Sequence, residues 1–344
     1  MEKQSRKNFN ISKDDITGIE LFAGAGGLAL GLEEAGIKGL LFNEIDTTCC
    51  DTLRTNRPDW NVQCQDIHTM DFSEYKGKVD LVSGGFPCQA FSQAGKRLGF
   101  EDTRGTLFYE FARCIKEVQP KMFLAENVKG LVSHDNGRTL ATILDVFREL
   151  GYDVQTQVLN ASYYGVGQKR ERLIIIGCRM GSGIKFEYPI ADTTQTTLQT
   201  ALKDCPPSKG VQYSEKKKKV FELVPPGGCW VNLPESVAKE YMGKSFYSGG
   251  GRRGMARRIS WNEPCLTLTC SPSQKQTDRC HPDEARPFTV REYARIQSFP
   301  DEWEFCGGIG AQYKQIGNAV PVEMARRIGV EIVKSIKKQK TFNS

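Results

Sequence analysis

Short apolar segments alternate with segments of helical periodicity through the first half of the chain, and this alternation constrains the fold more than any other feature. The apolar segments are predicted strands at residues 17–22, 39–45, 79–83, 122–125 and 172–178. Predicted helices with apolar residues at about a helical period lie between them, at 28–35, 105–118 and 136–150. The alternation predicts an α/β fold with a doubly wound, mostly parallel sheet. Because ligands bind such sheets beyond the carboxyl ends of the strands, functional residues are expected just after each strand.

A glycine-rich turn follows the first predicted strand, in the segment Phe22-Ala23-Gly24-Ala25-Gly26-Gly27-Leu28. Glycines allow the backbone to approach a ligand at a helix N-terminus. The turn departs from the dinucleotide fingerprint, because the third glycine expected after Gly24 and Gly26 is missing. Glu44 ends the next strand, at about the spacing where an acid binds ribose hydroxyls. These features predict a nucleoside cofactor. Asp66 is either a further contact to it or a helix cap.

Cys88 has the sequence context of a nucleophile. It follows the 79–83 strand within Gly84-Gly85-Phe86-Pro87-Cys88-Gln89-Ala90-Phe91-Ser92, and the polar loop after it is typical of a mobile lid. Glu126 and Asn127 follow the 122–125 strand, where the acid could lie opposite Cys88 or cap a helix. Gln168-Lys169-Arg170-Glu171-Arg172 leads into the last strand, where an arginine could point inward toward an oxygen acceptor or remain solvated.

Together these motifs resemble the DNA cytosine-5 methyltransferase family, of the type found in bacterial restriction–modification systems. The resemblance covers residues 16–177 and 286–329. It rests on Phe22–Leu28, Pro87-Cys88-Gln89, Gly105-Thr106-Leu107-Phe108, Glu126-Asn127-Val128, Gln168–Arg172, Thr289-Val290-Arg291-Glu292 and Gln315-Ile316-Gly317-Asn318-Ala319-Val320. It implies the fold of S-adenosylmethionine-dependent methyltransferases. It also implies methyl transfer to carbon 5 of a flipped cytosine within a short duplex DNA sequence, which would protect DNA from a cognate restriction endonuclease.

The resemblance also assigns roles to individual residues. The Cys88 thiolate would add to carbon 6 of cytosine, Glu126 would protonate or hydrogen-bond ring N3, and Arg172 would hold O2. Arg170 would support the loop or the phosphate backbone, and Asn127 would orient Glu126 or Pro87. The implied contacts to S-adenosylmethionine are Phe22, Gly24, Gly26, Gly27, Leu28, Glu44, Ile45, Asp66, Ile67, Pro87, Leu107, Asn318 and Val320.

The second half of the chain is richer in loops and carries the basic charge. Between Lys244 and Cys280, seven basic residues outnumber two acidic ones, which indicates either a polyanion-binding surface or a solvated basic face. By resemblance, residues 1–188 form the catalytic and cofactor-binding domain, 189–303 form the target-recognition domain and hinge, and 304–344 return to the catalytic domain. The predicted DNA contacts are Gln89, Ser92, Arg97, Arg104, Arg252, Arg253, Arg257, Arg258 and Thr267.

Composition restricts the other classes of function. No apolar stretch is long enough to span a bilayer, and the polar start lacks the apolar core of a secretion signal, so a cytoplasmic protein is expected. The twelve cysteines include no Cys-x-x-Cys pair, and none of the three histidines has metal-ligand spacing. We therefore expect reduced thiols and no metal, and by resemblance a monomer.

Three other functions remain open from the sequence. An RNA cytosine-5 methyltransferase acting on transfer RNA would use the same chemistry, although a basic region of this size favours DNA. A nicotinamide oxidoreductase could use the glycine turn and Glu44, but it leaves Cys88, Glu126 and Arg172 unexplained. A catalytically silent DNA-binding module is disfavoured by the same three residues.

Overall fold

The structure, a computed structural model, describes residues 12, 14–87, 106–247 and 254–342 and divides into two compact units. Unit 1 comprises Met1–Leu159, Glu171–Ile190 and Ala325–Ser344, and unit 2 comprises Asn160–Arg170 and Ala191–Met324. The segment 304–324 thus belongs to unit 2, whereas the last twenty residues belong to unit 1.

A seven-stranded sheet forms the centre of unit 1. Its strands are β1 (Ile16–Leu21), β2 (Ile37–Glu44), β3 (Val62–Cys64), β4 (Leu81–Gly84), β5 (Met122–Val128), β6 (Tyr152–Asn160) and β8 (Glu171–Arg179). They lie in the order β3-β2-β1-β4-β5-β8-β6, with parallel pairing from β3 to β5 and an antiparallel β5–β8 pair. The predicted doubly wound, mostly parallel sheet is therefore confirmed.

The helices of unit 1 are α1 (Gly27–Glu34), α2 (Thr47–Asn56), α3 (Leu107–Val118), α4 (Arg138–Glu149) and the greater part of α10 (Val322–Phe342). A buried aromatic cluster lies where α3 and α4 pack on the sheet, and includes Phe86, Phe108, Phe111, Phe123 and Phe147. Burial of each ring contributes roughly 1.5–3 kcal/mol. Because Phe86 belongs to this cluster, the cluster fixes the segment that follows β4 and leads to the candidate nucleophile.

Two parts of this unit differ from the sequence prediction. Helix α2 was not predicted, because its segment TTCCDTLRTN is short and lacks a clear apolar period. Strand β6 was not predicted either, since most of its side chains are exposed or half-buried at the edge of the sheet. Strand β6 is held in the sheet by its hydrogen bonding to β8, its neighbour in the strand order.

Unit 2 consists mainly of short elements and loops. Its helices are α5 (Leu198–Ala201), α6 (Glu215–Glu222), α7 (Glu235–Met242), α8 (Val290–Ile296) and α9 (Ile309–Asn318). Its strands form the pairs β7–β10 (Gln168–Lys169 with Cys265–Leu266) and β9–β11 (Arg257–Arg258 with Arg279–Cys280). A small core around Tyr213 and Phe221 holds α6 and α7 together. Across the described ranges, no helix combines the length and apolar character needed to cross a membrane.

Candidate active site

The glycine-rich turn leaves β1 through three left-handed residues. Phe22, Gly24 and Gly26 have φ values of 56°, 55° and 86°, and Gly26 is the N-cap of α1. A Cβ placed on Gly24 would meet no atom of the described residues within 4 Å. The turn therefore presents main chain beside open space at a helix N-terminus, an arrangement suited to a ligand.

Glu44 holds this turn against the end of β2. Its Oε2 accepts a hydrogen bond from Gly24 N at 2.7 Å, and its Oε1 accepts from Ile45 N and Asp46 N at 2.8 and 2.9 Å. The Ile45 side chain beside it is 66% exposed. The strand end thus offers a fixed carboxylate next to an uncovered apolar surface.

Asp66 is both exposed and a helix cap. Its carboxylate accepts a hydrogen bond from His68 N at 3.0 Å, and this bond is the main cause of its lowered pKa. Ile67 is buried, and its carbonyl accepts a hydrogen bond from Arg113 Nη2 at 2.9 Å. Arg113 also reaches Met70 O and pairs with Glu110 and Glu117 on α3. Sequence analysis missed Arg113, which fixes the segment that carries Asp66.

Glu126 and Arg172 form an ion pair at the end of the sheet. Arg172 Nε lies 2.7 Å from Glu126 Oε1, and the two side chains are only 12% and 13% exposed. The antiparallel β5–β8 register pairs Val128 with Arg172, which places the guanidinium diagonally across from Glu126. The structure therefore brings together two of the residues that sequence analysis assigned to catalysis.

Asn127 connects β5 to the segment that precedes Cys88. Its buried side chain donates from Nδ2 to Phe86 O at 3.0 Å, and its Oδ1 accepts from Val128 N. Pro87 is exposed directly after this contact.

The predicted site residues Cys88, Gln89, Ser92, Arg97, Arg104, Arg252 and Arg253 lie outside the described residues. Leu107 begins α3, which Thr106 caps by accepting from Tyr109 N.

Two arginines of unit 2 require correction. Arg170 is 2% exposed and donates to Leu268 O and Gly317 O, at 3.2 and 2.8 Å. Arg258 is 9% exposed and donates to three main-chain carbonyls, those of Pro282, Phe221 and Val224. Guanidinium groups buried on carbonyls are unavailable to phosphates or bases. Both residues therefore hold unit 2 together through main-chain carbonyls, in place of the phosphate or base contacts expected from the sequence.

The other predicted residues of unit 2 have local partners. Arg257 donates to Gly227 O and pairs with Glu263 at 2.8 Å. Thr267 donates to Lys169 O at 2.7 Å. Asn318 is exposed at the end of α9 and accepts from the Cys270 thiol, whereas Val320 is buried. Within the described part of the chain, no group of three or more histidine, cysteine or acidic side chains could hold a metal.

Glu20 is a buried acid that sequence analysis also missed. It lies in β1 with 3% exposure, and accepts hydrogen bonds from Ser83 Oγ and from the main-chain N–H of Ala29 in α1. Burial raises its pKa to about 8. A single acid within the apolar segment Ile19-Glu20-Leu21-Phe22 was the signal that could have identified it. Because Ala29 is in the first turn of α1, Glu20 supports the helix that the glycine turn begins.

Comparison with known proteins identifies the family. The sequence profile of the C-5 cytosine-specific DNA methylase family matches residues 16–334, which is most of the chain. The chain belongs to this family. It is accordingly a DNA cytosine-5 methyltransferase, and the resemblance drawn from its motifs is confirmed.

Individual relatives agree with this assignment. The chain is 58% identical over 333 residues to the Type II methyltransferase M.Eco47II of Escherichia coli, covering 94% of this chain and 80% of the relative. It is also 58% identical to M.Sau96I of Staphylococcus aureus, covering 94% and 77%. A solved structure of a Spodoptera frugiperda DNMT2 variant shares the fold, with a TM-score of 0.67 at 17% identity and coverage of 93% and 99%.

Proposed function

We propose that this methyltransferase transfers the methyl group of S-adenosylmethionine to carbon 5 of one cytosine within a specific short duplex DNA sequence. The observation that carries the proposal is the ion pair of Glu126 and Arg172, beside the segment that leads to Cys88. A carboxyl and a guanidinium fixed together match the N3 and O2 edge of cytosine, which offers two neighbouring acceptors.

The residues that follow β1 and β2 in unit 1 suit a nucleoside cofactor. A Cβ on Gly24 would meet no described atom within 4 Å, and Glu44 supplies a carboxylate for ribose hydroxyls. Ile45 and Asp66 are exposed and are further candidate contacts to the cofactor. Pro87 and Leu107 are the proposed contacts from the neighbouring strand end and from α3. When bound, S-adenosylmethionine supplies an electrophilic methyl group. The proposed contacts from Asn318 and Val320 rest on the family motif alone.

The residues of the chain would activate the cytosine, because its carbon 5 is a weak nucleophile. The Cys88 thiolate adds to carbon 6, and Glu126 supplies a proton or hydrogen bond at N3 while Arg172 holds O2. Carbon 5 would then carry enamine electron density and attack the methyl group of S-adenosylmethionine, and breakage of the sulfur–methyl bond would leave S-adenosylhomocysteine as the product. Loss of the carbon 5 proton to a base, for which a water is the candidate, would expel the Cys88 thiolate and restore the aromatic ring. Asn127 positions Phe86 and Pro87, and through them Cys88.

The target base must leave the duplex for this chemistry, since a stacked cytosine cannot reach these groups. Unit 2 is the proposed target-recognition region, with Arg252, Arg253, Arg257 and Thr267 as candidate contacts. Gln89, Ser92, Arg97 and Arg104 are the candidates on the loop after Cys88. The named Type II relatives support a role in a restriction–modification system, in which methylation protects DNA from a cognate endonuclease. We further propose a cytoplasmic monomer.

The choice of polymer is tested by methylation of two substrates with labelled S-adenosylmethionine. We expect incorporation into a mixed-sequence duplex DNA and none into a transfer RNA pool, with 5-methylcytosine as the modified nucleoside on hydrolysis. Label in the RNA alone would contradict the DNA assignment. Label at a different atom of cytosine would contradict the proposed chemistry.

A further inference from the structure

Gly85 lies against the carboxylate of Glu126. A Cβ built on Gly85 would be 2.8 Å from Glu126 Oε2 and 3.9 Å from its Cδ. A methyl carbon does not approach an oxygen to 2.8 Å without one of them moving, so the carboxylate occupies the space that a side chain at this position would fill. The other oxygen of the same carboxylate is the one that pairs with Arg172.

From this geometry we infer that Gly85 is a positioning residue for methyl transfer, because its missing side chain lets the Glu126 carboxylate lie in its productive place. The inference rests on the proposed function of Glu126. Gly85 is not among the residues with positive φ, so its backbone conformation does not require a glycine. The methyl group of an alanine at this position would therefore clash with the Glu126 side chain, without straining the local backbone.

The carboxylate is constrained on two sides. Arg172 lies against Oε1, and the absence of a side chain on Gly85 leaves room for Oε2. Oε2 is at the end of a rotatable side chain, so an added methyl group would displace the carboxylate and leave the backbone in place. A displacement of about 1 Å in a catalytic group can lower a rate by about 100-fold while the fold persists.

Gly84, next to Gly85, and Gly130, just after β5, provide matched controls. A Cβ on Gly84 would lie 2.6 Å from Leu21 O, a main-chain atom of β1, so Gly84→Ala should destabilise the sheet. A Cβ on Gly130 would meet no atom closer than Val128 Cγ2 at 4.0 Å within the described ranges, so Gly130→Ala should be silent. Gly85→Ala is expected to resemble Gly130→Ala in thermal unfolding and in cofactor affinity. It should nevertheless methylate duplex DNA more slowly than Gly130→Ala.

The test is a double-mutant cycle measured by single-turnover methylation of duplex DNA, with enzyme in excess and reaction times long enough to follow slow variants. Gly85→Ala should lower the rate about 100-fold in the parent. In a Glu126→Asp background, the shorter side chain withdraws the carboxylate by about one bond, roughly 1.5 Å, and Gly85→Ala should then change the rate less than about 3-fold.

Equal rate losses in the two backgrounds would overturn the inference, because they would show that Gly85 acts independently of Glu126. So would a Gly85→Ala protein that is as fast as the parent, or one that unfolds as readily as Gly84→Ala. A parent that methylates no cytosine would overturn the proposed function and the inference with it. An active parent with an unimpaired Gly85→Ala variant would overturn the inference alone.

Discussion

Replacing Glu126 by alanine should lower kcat about 1,000-fold, within the range of about 100- to 10,000-fold that general acid–base groups contribute. Glu126 is the carboxyl that lies beside Arg172, and the proposed role is to protonate or hydrogen-bond N3 as Cys88 adds to carbon 6. Without it, N3 has no donor for a proton or hydrogen bond as negative charge develops on the ring. The KM for S-adenosylmethionine should change little, because Glu126 is not a proposed cofactor contact. Steady-state methylation of duplex DNA measures both constants.

Glu171 provides the control for this change. It lies on the same strand as Arg172 and pairs with Lys129 at 2.9 Å, but the two side chains are 45% and 57% exposed. Exposed pairs contribute roughly 0–1 kcal/mol, so Glu171→Ala should leave kcat within about 2-fold. Glu126→Gln retains the side-chain volume and can still donate a hydrogen bond. Its kcat should therefore lie between those of the parent and Glu126→Ala. Equal activities of Glu126→Ala and Glu171→Ala would contradict the assignment.

The second large effect concerns stability and its dependence on pH at Glu20. The pKa of this carboxyl is raised from 4.5 to about 8 by burial. Between these values the folded protein keeps a proton that the unfolded chain releases, so stability should fall as pH rises through this window and level off above about 8. The full effect of such a shift is on the order of 5 kcal/mol. Glu20→Gln mimics the protonated carboxyl and should remove this contribution.

The measurement is chemical denaturation of the parent and Glu20→Gln between pH 5 and pH 8.5. The free energy of unfolding of Glu20→Gln relative to the parent should increase with pH up to about 8 and then level off. Glu149→Gln makes the same substitution at an exposed position of α4 and controls for the loss of one charge. If the difference in free energy of unfolding between Glu20→Gln and the parent stays constant with pH, Glu20 has the same pKa in the folded and unfolded states, and the prediction is wrong.

Features that depend on neighbours in the sequence were predictable. The strand ends that carry the glycine turn, Glu44 and Glu126 follow directly from apolar patterning, because a parallel sheet gathers such ends at one edge. The family motifs then gave chemical roles that patterning alone left open. Glu126 could have been a helix cap from sequence alone, and its pairing with Arg172 depends on the β5–β8 register.

Features that depend on distant partners were not predictable. Arg170 donates to carbonyls 98 and 147 residues away, and Arg258 to carbonyls at least 24 residues away. A basic residue in a basic segment gives no local sign that its guanidinium is buried on main-chain oxygens. The clearance that Gly85 gives Glu126 is likewise a tertiary contact, between residues 85 and 126, that a glycine in a loop does not reveal.

The most direct test of the central claim is the reaction of the enzyme with duplex DNA in which 5-fluorocytosine replaces cytosine, in the presence of S-adenosylmethionine. Fluorine cannot leave carbon 5 as a proton does, so Cys88 should remain bonded to carbon 6 after methyl transfer. We predict a protein–DNA adduct that resists denaturation, and that is absent with Cys88→Ala. An adduct that persists in Cys88→Ala, or methylation of normal DNA by that variant at the parental rate, would contradict the account.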